Sequence, residues 1–310
     1  MIERFVNEQG LDLAAQTLVY FGEDFDVLNM DSLWLRVLFL GRRINTLADK
    51  WRQVEARSGL FAYNRPMNLS NRSMLTLTLL WTLSLFLFPL LLLQGLYVRR
   101  TALRLPDGEP PLEGSAGSGE PEFRILGLGD SVIAGTGVPD MQDSVTAQLA
   151  QAFAERTLEK RFIWQAIGVN GDTLADLLSK AQSLPPGRFD LIVVSIGVND
   201  VTRLTGLLRW QLQLTQLIPM LNSKAERLVF LGIPPMQFFT ALPQPLRWVL
   251  GVRAAMLDKS LRQAADLVPG VYWLELGLKF DAEHLAEDGY HPNEVACREM
   301  AEHLADALYE

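Results

Sequence analysis

Arg124-Ile125-Leu126-Gly127-Leu128-Gly129-Asp130-Ser131 (RILGLGDS) reads as a strand running into a tight turn. A short apolar run of this kind suits a strand buried on both faces. The glycines permit the turn and present the serine near free backbone N–H groups. A helical pattern follows at Ser144–Thr157, and the same alternation continues to the end of the chain. Further strands are expected at Phe162–Ile167, Asp190–Ile196, Arg227–Leu231 and Val271–Leu276. Further helices are expected at Thr173–Ala181, Leu204–Leu221, Leu246–Leu267 and Asn293–Leu308. Five strands separated by helices predict an α/β fold, a three-layer α/β/α sandwich around a five-stranded parallel sheet. Such a sheet binds ligands beyond the carboxyl ends of its strands.

Three more motifs fall at those ends. Asn170-Gly171-Asp172-Thr173 follows the second strand and is also a plain turn-plus-cap signal. Its functional reading is a Gly171 N–H facing a reaction centre that a side chain would obstruct. Gly197-Val198-Asn199-Asp200 ends the third strand; the Asn199 amide can aim at a developing oxyanion or merely cap a loop. Asp288-Gly289-Tyr290-His291-Pro292 lies near the C-terminus. Its spacing lets the carboxylate fold back and orient the imidazole through Nδ1–H. Pro292 suits the first turn of the next helix, whose positive dipole end disfavours imidazolium at His291.

The chain has three histidines, His284, His291 and His303. His303 lies within an amphipathic helix, and His284 has no carboxylate in a comparable loop setting. Both therefore read as packing or surface residues. Asp130 and Asp200 read as structural.

Taken together and in this order, the four motifs resemble the SGNH hydrolase family of GDSL-like lipases and esterases, over about residues 124–309. The family's nucleophile block stands here as GDSV, with Val132 in place of the commoner leucine. The resemblance implies a flavodoxin-like three-layer fold and a carboxylic ester hydrolase. Ser131 would be the nucleophile, His291 the base and Asp288 its orienting partner. The Ser131 N–H, Gly171 N–H and Asn199 side chain would form the oxyanion hole. No metal or organic cofactor is required by that scheme.

The remainder of the chain is organised differently. Met74–Leu93 is twenty residues without a charge, about 30 Å as a helix and so the thickness of a hydrocarbon core. Residues 73–98 are therefore expected to form a single transmembrane helix, with Pro89 kinking it near one end. The run is internal and longer than a signal-peptide core, so it is expected to be retained. Arg57, Arg65 and Arg72 upstream balance Arg99, Arg100 and Arg104 downstream. The further basic residues Arg42, Arg43, Lys50 and Arg52 tip the orientation toward N-terminus inside and an extracytoplasmic third region.

Residues 1–72 read as a small, mostly helical region, for example at Ile44–Val54, without a catalytic motif. Residues 99–122, including LPDGEPPLEGSAGSGEPE, read as a Pro/Gly/Ser/Glu-rich linker. Residues 123–310 are expected to form the hydrolase domain.

A net charge of −8 argues against nucleic acid as the main partner. One cysteine, Cys297, excludes an intramolecular disulfide. The apolar segment Pro234–Val252 (PPMQFFTALPQPLRWVLGV) reads as core, or else as an acyl pocket. With the anchor, it points to lipid or short acyl esters as substrates. A cell-envelope carbohydrate O-acetyl esterase is the alternative. A catalytically silent, membrane-anchored binding protein is the second. No feature names a protein partner.

Overall fold

The structure is a computed structural model and describes residues 69–157, 159–184 and 187–308. The helical region expected over 1–72, with its helix at Ile44–Val54, lies outside the described residues except for its last four.

The described chain opens with α1 (Met74–Ser84), a 3₁₀ turn (Leu85–Leu87) and α2 (Phe88–Thr101). These form one apolar helical run of 28 residues. Ser73 caps it, its Oγ accepting from Thr76 N–H at 3.1 Å. The tightened turn has a simple cause. Pro89 has no N–H to donate to the Leu85 carbonyl, and the Phe88 N–H bonds to it instead. One stripe of the helix faces the rest of the protein: Leu77 is buried with Leu69, Val252 and Met256, and the Arg253 guanidinium lies 5.1 Å over the Trp81 ring. The Gln94 side chain donates to the Gln244 carbonyl and accepts from Leu246 N–H. The opposite stripe, with Leu75, Leu79 and Phe86, is exposed.

Next come β1 (Glu113–Ala116), β2 (Glu122–Gly129), α3 (Val145–Arg156), β3 (Arg161–Gly168), α4 (Leu174–Ala181) and β4 (Phe189–Ser195). The chain ends with α5 (Val198–Thr202), α6 (Leu207–Asn222), β5 (Ala225–Leu231), α7 (Leu246–Asp266), β6 (Val271–Leu274) and α8 (Glu294–Leu308). The strand order is β1-β3-β2-β4-β5-β6. All neighbours are parallel except β1, which runs antiparallel on the β3 edge. Leu126, Leu128, Ile192, Val194, Leu228 and Phe230 point to one face, where they bury α4, α6 and α7. Ile125, Leu191, Val193, Val229 and Leu231 point to the other, against α3 and α8. Both period-2 sets are apolar, which is why the central strands β2, β4 and β5 read as hydrophobic runs.

The sheet thus has six strands rather than the five expected, and the extra one lies inside the stretch read as a linker. Glu113-Gly114-Ser115-Ala116 carries no hydrophobic signal, because an edge strand is held by its ladder. Gly114 also lets the Trp164 ring lie where a Cβ would come within 2.9 Å of it. The residues before β1 are fastened too. The Thr136 hydroxyl donates to Asp107 at 2.6 Å, Gly108 N–H donates to the Ala134 carbonyl, and Glu109 bonds to Pro139 and Met141 through its backbone. Composition argues against a packed core in such a segment, but not against its being strapped onto one.

At the carboxyl edge, Gly129 of β2 pairs with Gly168 of β3. A Cβ on Gly168 would stand 2.2 Å from Ala134 N and 2.5 Å from Ile133 C, both backbone atoms of the turn after Ser131. Gly168→Ala is expected to cost about 3 kcal/mol by overpacking. The loss is read as a lowered thermal midpoint of the detergent-solubilised chain, and an unchanged midpoint contradicts this close approach.

Candidate active site

The four motifs meet at the carboxyl ends of β2, β3 and β4. Ser131 leaves β2 in a turn held by Asp130 N–H to the Ser195 carbonyl at 3.0 Å and Thr136 N–H to the Ser131 carbonyl at 2.9 Å. Its Oγ lies 3.0 Å from His291 Nε2, and His291 Nδ1 lies 2.5 Å from Asp288 Oδ2. The other carboxylate oxygen accepts from Tyr290 N–H at 2.9 Å and His291 N–H at 3.1 Å. Burial by itself would raise the Asp288 carboxyl. The bonds from the His291 ring and these two N–H groups outweigh burial and hold it below the ordinary carboxylate range.

The loop carrying this pair is laced to itself. Ala286 N–H donates to the His291 carbonyl at 2.8 Å, and Asn293 N–H donates to the His284 carbonyl at 3.1 Å. Gly289, at φ +71, turns the chain between Asp288 and Tyr290. Asn293 then caps α8, its Oδ1 accepting from Ala296 N–H at 3.1 Å. Pro292 therefore stands ahead of the cap, not in the first helical turn as expected.

On the opposite wall, Gly171 adopts φ +94, and a Cβ there would meet only the Arg203 guanidinium, at 3.7 Å. Among the described residues, neither the Ser131 N–H nor the Gly171 N–H donates to a protein group. Asn199 Nδ2 donates to the Asp172 carbonyl at 3.0 Å, which leaves its second amide hydrogen to point elsewhere. Arg203 Nη2 donates to the Gly171 carbonyl at 2.8 Å. Sequence reasoning missed Arg203. Its signal was the spacing, one helical turn beyond Asn199, which sets both on the same side of α5.

Asp130 and Asp200 are both buried and bonded. Asp200 accepts from Leu174 N–H and the Thr205 hydroxyl, tying α4 to the end of α5. Asp130 accepts from Val132 N–H and the Ser195 hydroxyl. Burial pushes its carboxyl up to about 7, against the pull of those bonds and of His291.

The Pro234–Val252 segment is largely core. Phe239 is buried, with its ring 5.5 Å from Phe280 and 5.9 Å from Tyr290, the neighbour of His291. His303 lies against Gly277. His284 requires a correction: it does have a carboxylate at the same spacing. Asp281 Oδ1 is 2.5 Å from its Nδ1, while its Nε2 faces Glu299 at 3.2 Å and not a serine.

A doubly covered parallel sheet with a serine, a histidine and a carboxylate in one hydrogen-bonded file at its carboxyl edge defines a hydrolase class of α/β sandwich. Residues 128–298 match the model of the GDSL-like lipase/acylhydrolase family, and the chain belongs to that family. A GDSL-like esterase of Mycobacterium tuberculosis is 28% identical over 197 residues, covering 60% of this chain and 62% of the relative's length. Among solved structures, a G-D-S-L family lipolytic protein from Veillonella parvula is 14% identical, with a TM-score of 0.46 over 61% of this chain and 99% of that one. An esterase from Pseudoalteromonas is 19% identical, with a TM-score of 0.44 over 60% and 99%.

Asp130 gives a signed pH effect. With an ordinary value of 3.8 and a folded value of about 7, only the folded state holds the proton between those limits. Stability therefore falls as pH rises through that window. Asp130→Asn keeps an acceptor for Val132 N–H and removes the titration. The thermal midpoint of the parent is expected to fall relative to the variant between pH 5 and pH 8; parallel curves contradict the assignment.

Proposed function

We propose that the chain is a membrane-anchored serine ester hydrolase acting through an acyl-enzyme. The observation that carries this reading is the file Ser131–His291–Asp288, at 3.0 and 2.5 Å, beside two N–H groups that donate to no protein group among the described residues. His291, its Nδ1–H donated to Asp288, takes the Ser131 proton on Nε2 as Oγ attacks the ester carbonyl. The developing oxyanion accepts from Ser131 N–H, Gly171 N–H and the Asn199 amide. Collapse expels the alcohol, which takes the proton from His291. Water then attacks the acyl group, with His291 again as base, and releases the acid. The scheme uses the chain's own side chains and backbone N–H groups, the ester and one water.

Met74–Thr101 is proposed as a single-pass anchor, with the catalytic domain outside the cytoplasm. Its 28 residues extend about 42 Å as a helix, and its outward stripe is apolar and exposed. Crossing a bilayer replaces the contacts of Leu77 by lipid, at the cost of baring Val252 and Met256. The strap bears on the substrate. Asp107, bonded to Thr136 in the turn after Ser131, lies six residues beyond Thr101, at most about 20 Å of extended chain. An anchor so fastened keeps the nucleophile near the interface. That proximity supports esters whose carbonyl lies there, lipid or short acyl, over a polymer held in a distant groove.

One preparation tests the whole reading. Carbonate-washed membranes bearing the full chain are expected to hydrolyse p-nitrophenyl butyrate, Ser131→Ala membranes to be inactive, and Asn199→Ala to lower kcat by about 10²–10³. Activity surviving in the Ser131→Ala membranes contradicts the mechanism. Activity released into the wash contradicts the anchor.

A further inference from the structure

The loop that carries Asp288 and His291 contains a second Asp-x-x-His pair, Asp281 and His284. Both pairs place Nδ1 2.5 Å from the aspartate. They differ at the outer nitrogen: His291 Nε2 faces Ser131 at 3.0 Å, whereas His284 Nε2 faces Glu299 Oε2 on α8 at 3.2 Å. A neutral imidazole has one N–H and one bare nitrogen, so it can satisfy only one of two carboxylates. The imidazolium donates to both. His284 is 3% exposed, so solvent has little access to stand in for either bond. Lys279 Nζ lies 3.6 Å from Glu299 and flanks the same carboxylate. The bond to Asp281 raises the His284 pKa, burial opposes it, and the bond to Glu299 adds to the rise.

This side chain sits where it governs the proposed base. The His284 carbonyl accepts from Asn293 N–H, the Glu283 carbonyl accepts from the Asn293 side chain at 2.7 Å, and Leu285 bridges to Pro292. Residues 283–286 and 291–293 are thereby tied to one another. The ring of His284 pins the first of these segments to α8.

We propose that His284 is a positioning residue: held as an imidazolium between Asp281 and Glu299, it fastens the 281–293 loop to α8 and so sets Asp288 and His291 against Ser131. The inference rests on the reading of Ser131 and His291 as nucleophile and base. The sign follows from which form is bonded. The clamp is complete while His284 is protonated and is lost as pH rises through its raised folded pKa, where the bare nitrogen comes to face a carboxylate. The alkaline limit of turnover is then set by a residue that never touches the substrate.

With three histidines in the chain, the test is a ¹⁵N-histidine NMR titration of the full chain in detergent, run beside kcat and KM for p-nitrophenyl butyrate. One ring, missing from the spectrum of His284→Gln, is expected to carry protons on both nitrogens at neutral pH. Its deprotonation midpoint is expected to coincide with the alkaline fall in kcat, with KM unchanged. Glu299→Gln, which keeps shape and an acceptor, is expected to lower both midpoints together. A His284 ring that is neutral from pH 6 upward overturns the inference, as does a Glu299→Gln profile identical to the parent's. Turnover retained by Ser131→Ala would instead overturn the reading beneath it.

Discussion

The turn that carries Ser131 has no room for a side chain at the end of β2, which it leaves, or of β3 beside it. A Cβ on Gly129 would stand 1.9 Å from the Ser195 carbonyl oxygen, and one on Gly168 would stand 2.2 Å from Ala134 N. The turn can therefore sink against the ends of β3 and β4, where Asp130 N–H bonds to the Ser195 carbonyl. Much else at the site follows from that approach. The Ser131 carbonyl is engaged by Thr136, Asp130 is driven into the interior with Ser195 as partner, and the serine hydroxyl is left at the sheet edge within reach of His291. Burying Asp130 is costly for a carboxylate, and its carboxyl is pushed up for that reason.

A second constraint comes from the far end of the chain. His291 can meet Ser131 only if a loop 160 residues later in sequence is held still, and no strand of the sheet does this. The loop is held instead by its own lacing, by the Asn293 cap on α8, and by Phe239, which packs against Tyr290 and is itself backed by Phe280. The apolar Pro234–Val252 segment thus serves the site from below. Through Phe239 it supports Tyr290, the residue beside the proposed base.

How much of this was legible in the sequence depended on the kind of signal. The five parallel strands and their helices were readable because each strand buries two apolar faces and each helix buries one. That Ser131, Gly171, Asn199 and His291 gather at the carboxyl edge of the sheet was readable because turn and strand-end positions are fixed by the same pattern. Strand β1 was not, since four small or polar residues on an edge owe their place to ladder bonds that composition does not encode. Residues 102–112 were misread for the same reason: their proline and glycine content describes a segment without a core, and the bonds from Asp107, Gly108 and Glu109 attach it to someone else's. The paired Asp-x-x-His motifs show a different limit. Spacing alone cannot separate Asp281–His284 from Asp288–His291, because what distinguishes them is the residue opposite the outer nitrogen, Glu299 in one case and Ser131 in the other. Arg203 was hidden more simply, as one arginine among many until the fold set it on the Gly171 carbonyl.

The account stands on Ser131 being the activated hydroxyl of this chain. The most direct measurement is to react the full-length protein with a fluorophosphonate and locate the adduct by peptide mass spectrometry. A single adduct on Ser131, formed at stoichiometric reagent and suppressed by His291→Ala, is the predicted result. An adduct on a different residue, or equal labelling of Ser131 without His291, would contradict it.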